Sequence, residues 1–305
     1  MNHSSTGGEN QLMTAQSIHP ARWWQPENPP SIRCHLCPRL CLIKPGWTGF
    51  CGVRANLNGQ LGSIAYGHPV SVGVDPIEKK PLARFLPGTR TFSFGTFGCN
   101  LGCSFCQNDS LSRGYYNVEE LPRYLAPAEI VELALQHNCL SVAYTYNEPT
   151  VFAEYVIDTA NAAAGKGLKN VLVSNGYITR EAAADLYPLI DAANIDMKGF
   201  SEEFYHSLCG GSLAPVLDSI RYLYELGKHI EITNLVIPGQ NDSEEMIKNW
   251  FDWVDAHLNK DVPLHFSAYH PAYKMHVERT PRETLYRIRE YGEQRGFTSI
   301  FLGNI

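Results

Sequence analysis

Between residues 98 and 108 the chain reads GCNLGCSFCQN, setting Cys99, Cys103 and Cys106 close together. Thiolates are soft ligands suited to zinc and to iron–sulfur clusters. A structural zinc site closes on four ligands, so three cysteines leave one position open. A four-iron cluster held by three thiolates likewise keeps one iron free for a further ligand. The competing readings are a zinc knuckle that borrows a distant fourth ligand and reduced cysteines in a turn. Upstream, Cys34, Cys37, Cys41 and Cys51 supply four more thiols. Four thiolates close a zinc site and equally hold a second iron–sulfur cluster. In a short, loop-rich segment either metal acts as a staple.

These groups need a scaffold. The chain has 305 residues, 44% of them apolar, which suffices for one large α/β domain or a domain with a small module attached. The formal charge of −6 carries no global footprint for nucleic acid. Lys79, Lys80, Arg84 and Arg90 are expected to make a local basic patch at most. The first twenty residues are polar without an apolar signal core, and residues 1–29 are expected to be a disordered tail. No run approaches the roughly 20 apolar residues of a membrane span. The setting is read as cytoplasmic, where clustered cysteines bind metal or do chemistry rather than form disulfides.

Residues 30–91 are punctuated by Pro and Gly (QPENPPS, KPGWTG, DPIEKKP, LPGT) and read as a cysteine-rich metal-binding module. Short strands are expected at 61–66 and 69–74. From residue 92 to 305, apolar runs alternate with helical patterns. Strands are expected at 92–97, 140–146, 170–174, 192–196, 231–237, 265–269 and 299–302. Helices are expected at 127–137, 151–166, 180–189, 214–226, 244–258 and 281–295, two of them opened by the capping residues Thr179 and Ser243. Alternating βα units imply a parallel sheet, here a partial (β/α)6-type TIM barrel. Such barrels form their sites at the carboxyl ends of the strands, where the three-cysteine loop falls.

CNLGCSFC fits the CxxxCxxC signature of the radical S-adenosylmethionine (radical SAM) superfamily. GCNLxCxFCQN resembles its glycyl-radical-enzyme activating branch. DPIEKKPLARFLPGT (75–89) and CHLCPRLCLIKPGWTGFCGVR (34–54) resemble the AmmeMemoRadiSam-system radical SAM enzyme, and residues 30–305 fit that family. The resemblance implies a [4Fe-4S] cluster on Cys99, Cys103 and Cys106 that cleaves S-adenosyl-L-methionine (SAM). The 5′-deoxyadenosyl radical so released abstracts hydrogen. It also implies an electron donor such as a flavodoxin or ferredoxin, with Memo-like and AMMECR-like proteins as partners.

Further segments carry the resemblance. TYNEPT (145–150) is similar to the GGEP motif and puts Glu148 on the SAM amino group; the alternative is an acid favoured at a helix start. VSNGY (173–177) is similar to the TNG segment and gives SAM contacts to Ser174 and Asn175, or else is an Asn-Gly turn. IDMKGF (195–200) is similar to the DLK segment and sets Asp196 and Lys198 at the barrel mouth, or is a solvated ion pair. NLVIPGQND (234–242) is similar to a VVPG strand end, with Pro238 and Gly239 in a turn near the adenine. FSAYHP (266–271) sets His270 near SAM and substrate, or is a structural histidine. Phe105 is placed to face the adenine, and Asn108 follows it. Cys209, in SLCGG, is either a hydrogen donor or substrate contact, or a small buried hydrophobe. Cys139 reads as core.

The substrate is a small molecule or an RNA base, or else a glycyl-radical partner protein. A non-catalytic metal-binding or redox-sensing module is the reading from another class. The acidity weighs against RNA.

Overall fold

The computed structural model describes residues 18–114 and 120–305. Two small antiparallel sheets open the described chain. Strands β1 (His19–Pro20), β5 (Arg54–Leu57) and β6 (Gln60–Ser63) form one, in the order β1-β6-β5. Strands β2 (Trp24–Pro26), β3 (Ile32–Cys34) and β4 (Leu42–Ile43) form the other. Residues 18–29 therefore carry strands where a tail was expected. The reason is burial: Trp23 is 7% exposed and its indole donates to Asp185, while the Arg22 amide donates to Glu154. The remainder of the expected tail, residues 1–17, lies outside the described residues.

The main sheet has eight strands in the order β14-β13-β12-β11-β10-β9-β8-β7. Its edge strand β7 (Ser71–Pro76) pairs antiparallel with β8 (Arg90–Gly95), Ser71 opposite Gly95. Residues 71–76, expected within the N-terminal module, thus form the edge strand of the main sheet. After β8 come α1 (Asp109–Ser112), α2 (Pro127–Gln136), β9 (Ser141–Tyr144) and α3 (Ala153–Ala164). The βα rhythm continues through β10 (Lys169–Ser174), α4 (Arg180–Leu186) and β11 (Ala192–Asp196). Then follow α5 (Glu202–Phe204), which runs into a π-turn at Tyr205–Cys209, α6 (Ala214–Glu225), β12 (His229–Val236) and α7 (Glu244–His257). Finally come β13 (Leu264–Ala268), α8 (Arg282–Gln294) and β14 (Ile300–Gly303). From β8 to β14 every neighbouring pair is parallel.

Such a sheet is covered on both faces, which is why its strands read as apolar runs rather than alternating ones. Every residue of β9 is buried, as are the first four of β11. Helices close over it through large side chains: Tyr155 of α3 lies 5.2 Å from Phe94, and Trp250 of α7 lies 5.1 Å from Phe266. The expected caps form, Thr179 accepting from Ala182 and Ser243 from Met246. The architecture is an α/β partial barrel with a small N-terminal module. Among the described residues no helix is long and apolar enough to cross a membrane.

Of the expected basic patch, Lys79, Arg84 and Arg90 are exposed and Lys80 is not. Lys80 is 3% exposed and donates to Asp75 at 2.7 Å, its ammonium 4.4 Å from the Tyr146 ring. Burial on the sheet edge removes it from the surface.

Candidate metal and cofactor centre

The loop after β8 is tied down on every side. Gly98 has φ +82°, and a Cβ there would meet the Cys51 carbonyl oxygen at 2.4 Å, so only glycine fits. The Asn147 side chain accepts from Thr96 N–H at 2.9 Å and donates to Gly98 O at 3.0 Å. Around Cys103, Gly102 N–H donates to Cys209 O at 2.8 Å and Ser104 N–H to Leu208 O at 2.9 Å. The π-turn thus brackets the middle cysteine, and its αL residue Gly210 lets the chain turn away.

Cys99, Cys103 and Cys106 line one cavity, about 150 Å³ of which lies a full water radius clear of its walls. Glu148, Asn175 and Lys198 share that wall, as do Phe105 and Asn108. Glu148 is 4% exposed; it accepts from Thr150 N–H, Ser174 Oγ and Asn175 N–H at 2.7–2.9 Å. The bond to Thr150 is the helix-start role, so the capping geometry and the position on the cavity wall occur together. Asn175 reaches Asn100 Oδ1 at 2.9 Å and points its other contact at the Cys99 sulfur, 3.7 Å away. Lys198 pairs with Asp196 at 2.9 Å. The end of β12 is stapled beside it: Asn241 donates to Lys198 O and Leu235 O, while Gly239, φ +70°, turns the chain.

Other expected residues stand behind or beside the cavity. Ser174 positions Glu148, and Asp196 positions Lys198. His270 is exposed and contacts Gln107 at 3.1 Å. Cys209 is fully buried behind Cys103 rather than on the wall, and Cys139 is buried as core. Phe105 is 3% exposed, its ring 5.8 Å from Phe204.

Sequence reasoning missed a polar lattice at this wall. Tyr146, a cavity residue with φ +71°, donates to Asp75 at 2.8 Å, and Asp75 also accepts from Lys80. The signal was present in DPIEKKP, whose Asp75 and Lys80 reach across the sheet edge to the strand end. Burial would raise the Asp75 carboxyl, but the bonds from Lys80 and Tyr146 bring it down to about 2. At Lys80 burial outweighs the same contact and pushes the ammonium down. Tyr146 is pushed up to about 12 by burial and by Asp75. Arg113 was also missed; it donates to the Cys99 carbonyl at 2.9 Å.

The thiols titrate as buried thiols do. Burial pushes up Cys99 and Cys106, and contact with Cys209, then burial, pushes up Cys103. A metal must therefore displace their protons. Burial likewise raises the Glu148 carboxyl against its three donors. For Lys198 burial opposes the charged form, but Asp196 and the neighbouring sulfurs hold it well above the lysine range. The donor set suits an iron–sulfur cluster. Leu101 N–H, at 3.4 Å, and Asn175 both aim at the Cys99 sulfur, and such outer donors orient ligating sulfurs. Among the described residues no three His, Cys, Asp or Glu side chains stand close enough to share one ion. Three sulfurs round a wide cavity fit a cluster, in which each binds its own iron.

The profile of the radical SAM superfamily matches residues 94–251. The chain belongs to the radical SAM superfamily. It is similar to the uncharacterized protein MJ0808 of Methanocaldococcus jannaschii, 42% identical over 276 residues, 90% of this chain and 81% of the relative. It is also similar to pyruvate formate-lyase 1-activating enzyme of Escherichia coli, 25% identical over 70% of this chain and 93% of that enzyme. A radical SAM methyltransferase from Sphaerobacter thermophilus shares the fold, with TM-score 0.53 and 16% identity over 72% of this chain and 68% of that one. Members of the radical SAM superfamily are enzymes, and the fold implies SAM and a [4Fe-4S] cluster.

Proposed function

We propose that this radical SAM enzyme abstracts a hydrogen atom from a small molecule or an RNA base. We place it in the cytoplasm, with Memo-like and AMMECR-like proteins as partners and a flavodoxin or ferredoxin as electron donor. The observation carrying this reading is the convergence of Cys99, Cys103 and Cys106 with Glu148, Asn175 and Lys198 on one cavity. When bound, the cluster and SAM supply an electron and a sulfonium, whose cleavage yields methionine and the hydrogen-abstracting 5′-deoxyadenosyl radical. The chain's residues act by placement. Cys99, Cys103 and Cys106 would hold the cluster through their thiolates. Glu148 Oε2 accepts one bond, from Asn175 N–H, and keeps capacity for the SAM ammonium, a charge-assisted contact. Lys198, held by Asp196, would offer its ammonium to the SAM carboxylate, and Asn108 and Phe105, which line the same cavity, would border the adenosyl group. Cys34, Cys37, Cys41 and Cys51, which line one cavity, would hold a second metal centre, zinc or a further cluster. The AmmeMemoRadiSam assignment rests on residues 34–54 and 75–89, the latter contributing Asp75 and Lys80 to the cavity lattice.

A second reading is activation of a glycyl-radical partner protein. The similarity to an activating enzyme over 93% of its length favours it. The two separate cleanly. The first predicts deuterium transfer from a labelled metabolite or nucleoside into 5′-deoxyadenosine. The second predicts a stable glycyl radical on a partner, seen by electron paramagnetic resonance.

The test common to both uses anaerobic, reconstituted protein with dithionite and SAM. Formation of 5′-deoxyadenosine is expected, and Cys103→Ala abolishes it. Wild-type formation by a folded Cys103→Ala protein refutes the assignment.

A further inference from the structure

The strand end that carries Glu148 is sharply bent. Asn147 N–H donates to Thr145 O at 3.0 Å and closes a three-residue turn around Tyr146. Tyr146 has φ +71°, the φ of the rarer γ-turn, a strained form. Glycine reaches this conformation freely, whereas a side chain there carries strain that its surroundings must offset. The similar turn at the end of β11, closed by Met197 N–H to Ile195 O, centres on Asp196 and needs no positive φ.

The Tyr146 side chain shows what offsets the strain. Phe94 packs outward on Tyr155 of α3, so Ser93 and Gly95 on either side of it face the barrel interior. Gly73 of β7 pairs with Ser93 and faces the same way. The tyrosine lies along this slot. A Cβ at Gly95 would meet Tyr146 Cβ at 3.0 Å, and one at Gly73 would meet the Tyr146 hydroxyl at 3.0 Å. At the far end of the slot the hydroxyl donates to Asp75 Oδ2 at 2.8 Å. Lys80 donates to the same oxygen at 2.7 Å and sets its ammonium 4.4 Å from the centre of the ring. The Asp75 and Lys80 side chains are 16% and 4% exposed, so salt screens this pair far less than a surface pair.

The turn carries both halves of the site. Glu148 follows it directly. Asn147 holds the three-cysteine loop through Thr96 N–H and Gly98 O. Asn108, just past Cys106, donates to Tyr146 O at 2.9 Å. Rotation of the turn therefore displaces the Glu148 carboxylate and the cysteine loop together.

We propose that Tyr146, Asp75 and Lys80 form a clamp that holds this strained turn, so that the edge strand β7 sets the position of Asn147 and Glu148 for SAM binding. All three are positioning residues, acting through Asn147 and Glu148. The inference rests on the SAM site proposed above and adds to it a control exerted from β7.

The experiment compares Tyr146→Phe, Tyr146→Ala and Tyr146→Gly in the full chain, reconstituted anaerobically and left unreduced so that no SAM is cleaved. SAM binding is read by equilibrium dialysis. Tyr146→Phe keeps the ring and loses the bond to Asp75, and its Kd for SAM is expected to rise about fivefold. Tyr146→Ala loses the clamp and keeps the strain, for a rise of about tenfold or more. Tyr146→Gly loses the clamp but has no strain to hold, and is expected to bind SAM about fivefold more tightly than Tyr146→Ala. That order separates positioning from packing. If the ring only fills space, glycine, smaller and more flexible, binds SAM no better than alanine. That result overturns the inference, as does wild-type affinity in Tyr146→Phe. A second readout needs no SAM. Hydrogen exchange at the Thr96 amide, which Asn147 Oδ1 holds, is expected to quicken in Tyr146→Phe, and an unchanged rate refutes the clamp. Wild type that binds no SAM refutes the proposed function, and the exchange result then decides the clamp on its own.

Discussion

Glu154→Gln tests how the N-terminal module is anchored. Arg54 on β5 and Glu154 on α3 meet at 3.0 Å through both terminal nitrogens, with side chains 1% and 2% exposed. Glu154 also accepts from the Arg22 amide at 2.7 Å, so one carboxylate gathers both small sheets onto the barrel. Replacing it with glutamine keeps the shape and removes the charge, leaving a buried guanidinium uncompensated. Breaking a buried pair from one side typically costs about 3–5 kcal/mol. In a chain of this size each kcal/mol lowers the melting temperature by about 2 °C, so a fall of about 6–10 °C is expected. The control is Glu132→Gln, which breaks a pair with Lys166 at 3.6 Å where both partners are more than half exposed. An exposed pair contributes about 0–1 kcal/mol, so its melting temperature should barely move. The double variant Arg54→Met/Glu154→Leu should recover much of the loss, since it buries no unpaired charge. A Glu154→Gln protein that melts within about 2 °C of wild type would show that Arg54 does not depend on this counterion.

Other perturbations address the loop and the floor of the barrel. Gly98→Ala puts a Cβ against the Cys51 carbonyl at φ +82°, so the cluster loop must move; iron bound after reconstitution should fall by more than half, and full loading would contradict the tight fit. Asn147→Ala leaves the Thr96 amide and Gly98 carbonyl without their partner. At about 1–3 kcal/mol per buried group, urea denaturation should show a loss of at least about 2 kcal/mol. Glu231 is fully buried at the opposite end of the strands, accepting from His229, His265 and the Ala83 and Arg84 amides. Burial alone would raise its carboxyl, but these donors bring it down to about 2. Its folded value is depressed, so its contribution is present above the ordinary value near 4.5 and lost as pH falls toward 2, on the order of 3 kcal/mol in all. Stability of wild type measured from pH 6 to 3 should fall more steeply than that of Glu231→Gln; parallel curves would remove Glu231 from acid unfolding.

The barrel was legible because its strands carry the simplest signal. Runs such as NVLVS and AANID are buried on both faces, so apolar continuity marks them, and Thr179 and Ser243 mark helix starts where the caps form. Residues 18–29 were not legible, because two-residue and three-residue strands leave no period to read. They are ordered by single contacts, the Trp23 indole to Asp185 and the Arg22 amide to Glu154, more than 100 positions away. A separation of 71 positions likewise hid Tyr146 and Asp75, which meet only when β7 pairs on the edge beside β8. The three-cysteine loop announced itself by residue type. The side chains that hold it, Asn147, Arg113 and Asn100, are ordinary polar residues whose importance comes from what they touch.

The small module therefore braces the loop that carries the site rather than hanging from the barrel as an appendage. Gly98 tolerates no side chain because Cys51 of one thiol group presses on the loop of the other. Arg39, which lines a cavity with Cys34, Cys37, Cys41 and Cys51, donates to the carbonyls of Asn100 and Gly210, beside the contact between the three-cysteine loop and the π-turn. A metal that orders Cys34 to Cys51 thereby fixes the backbone from which Cys99 projects. It follows that loss of the N-terminal centre should loosen the three-cysteine loop even where all three of its cysteines remain. Hydrogen exchange at Gly98, Gly102 and Ser104 in a Cys37→Ser protein measures this directly. Exchange at wild-type rates would mean that the two thiol groups share a border but not a mechanical load.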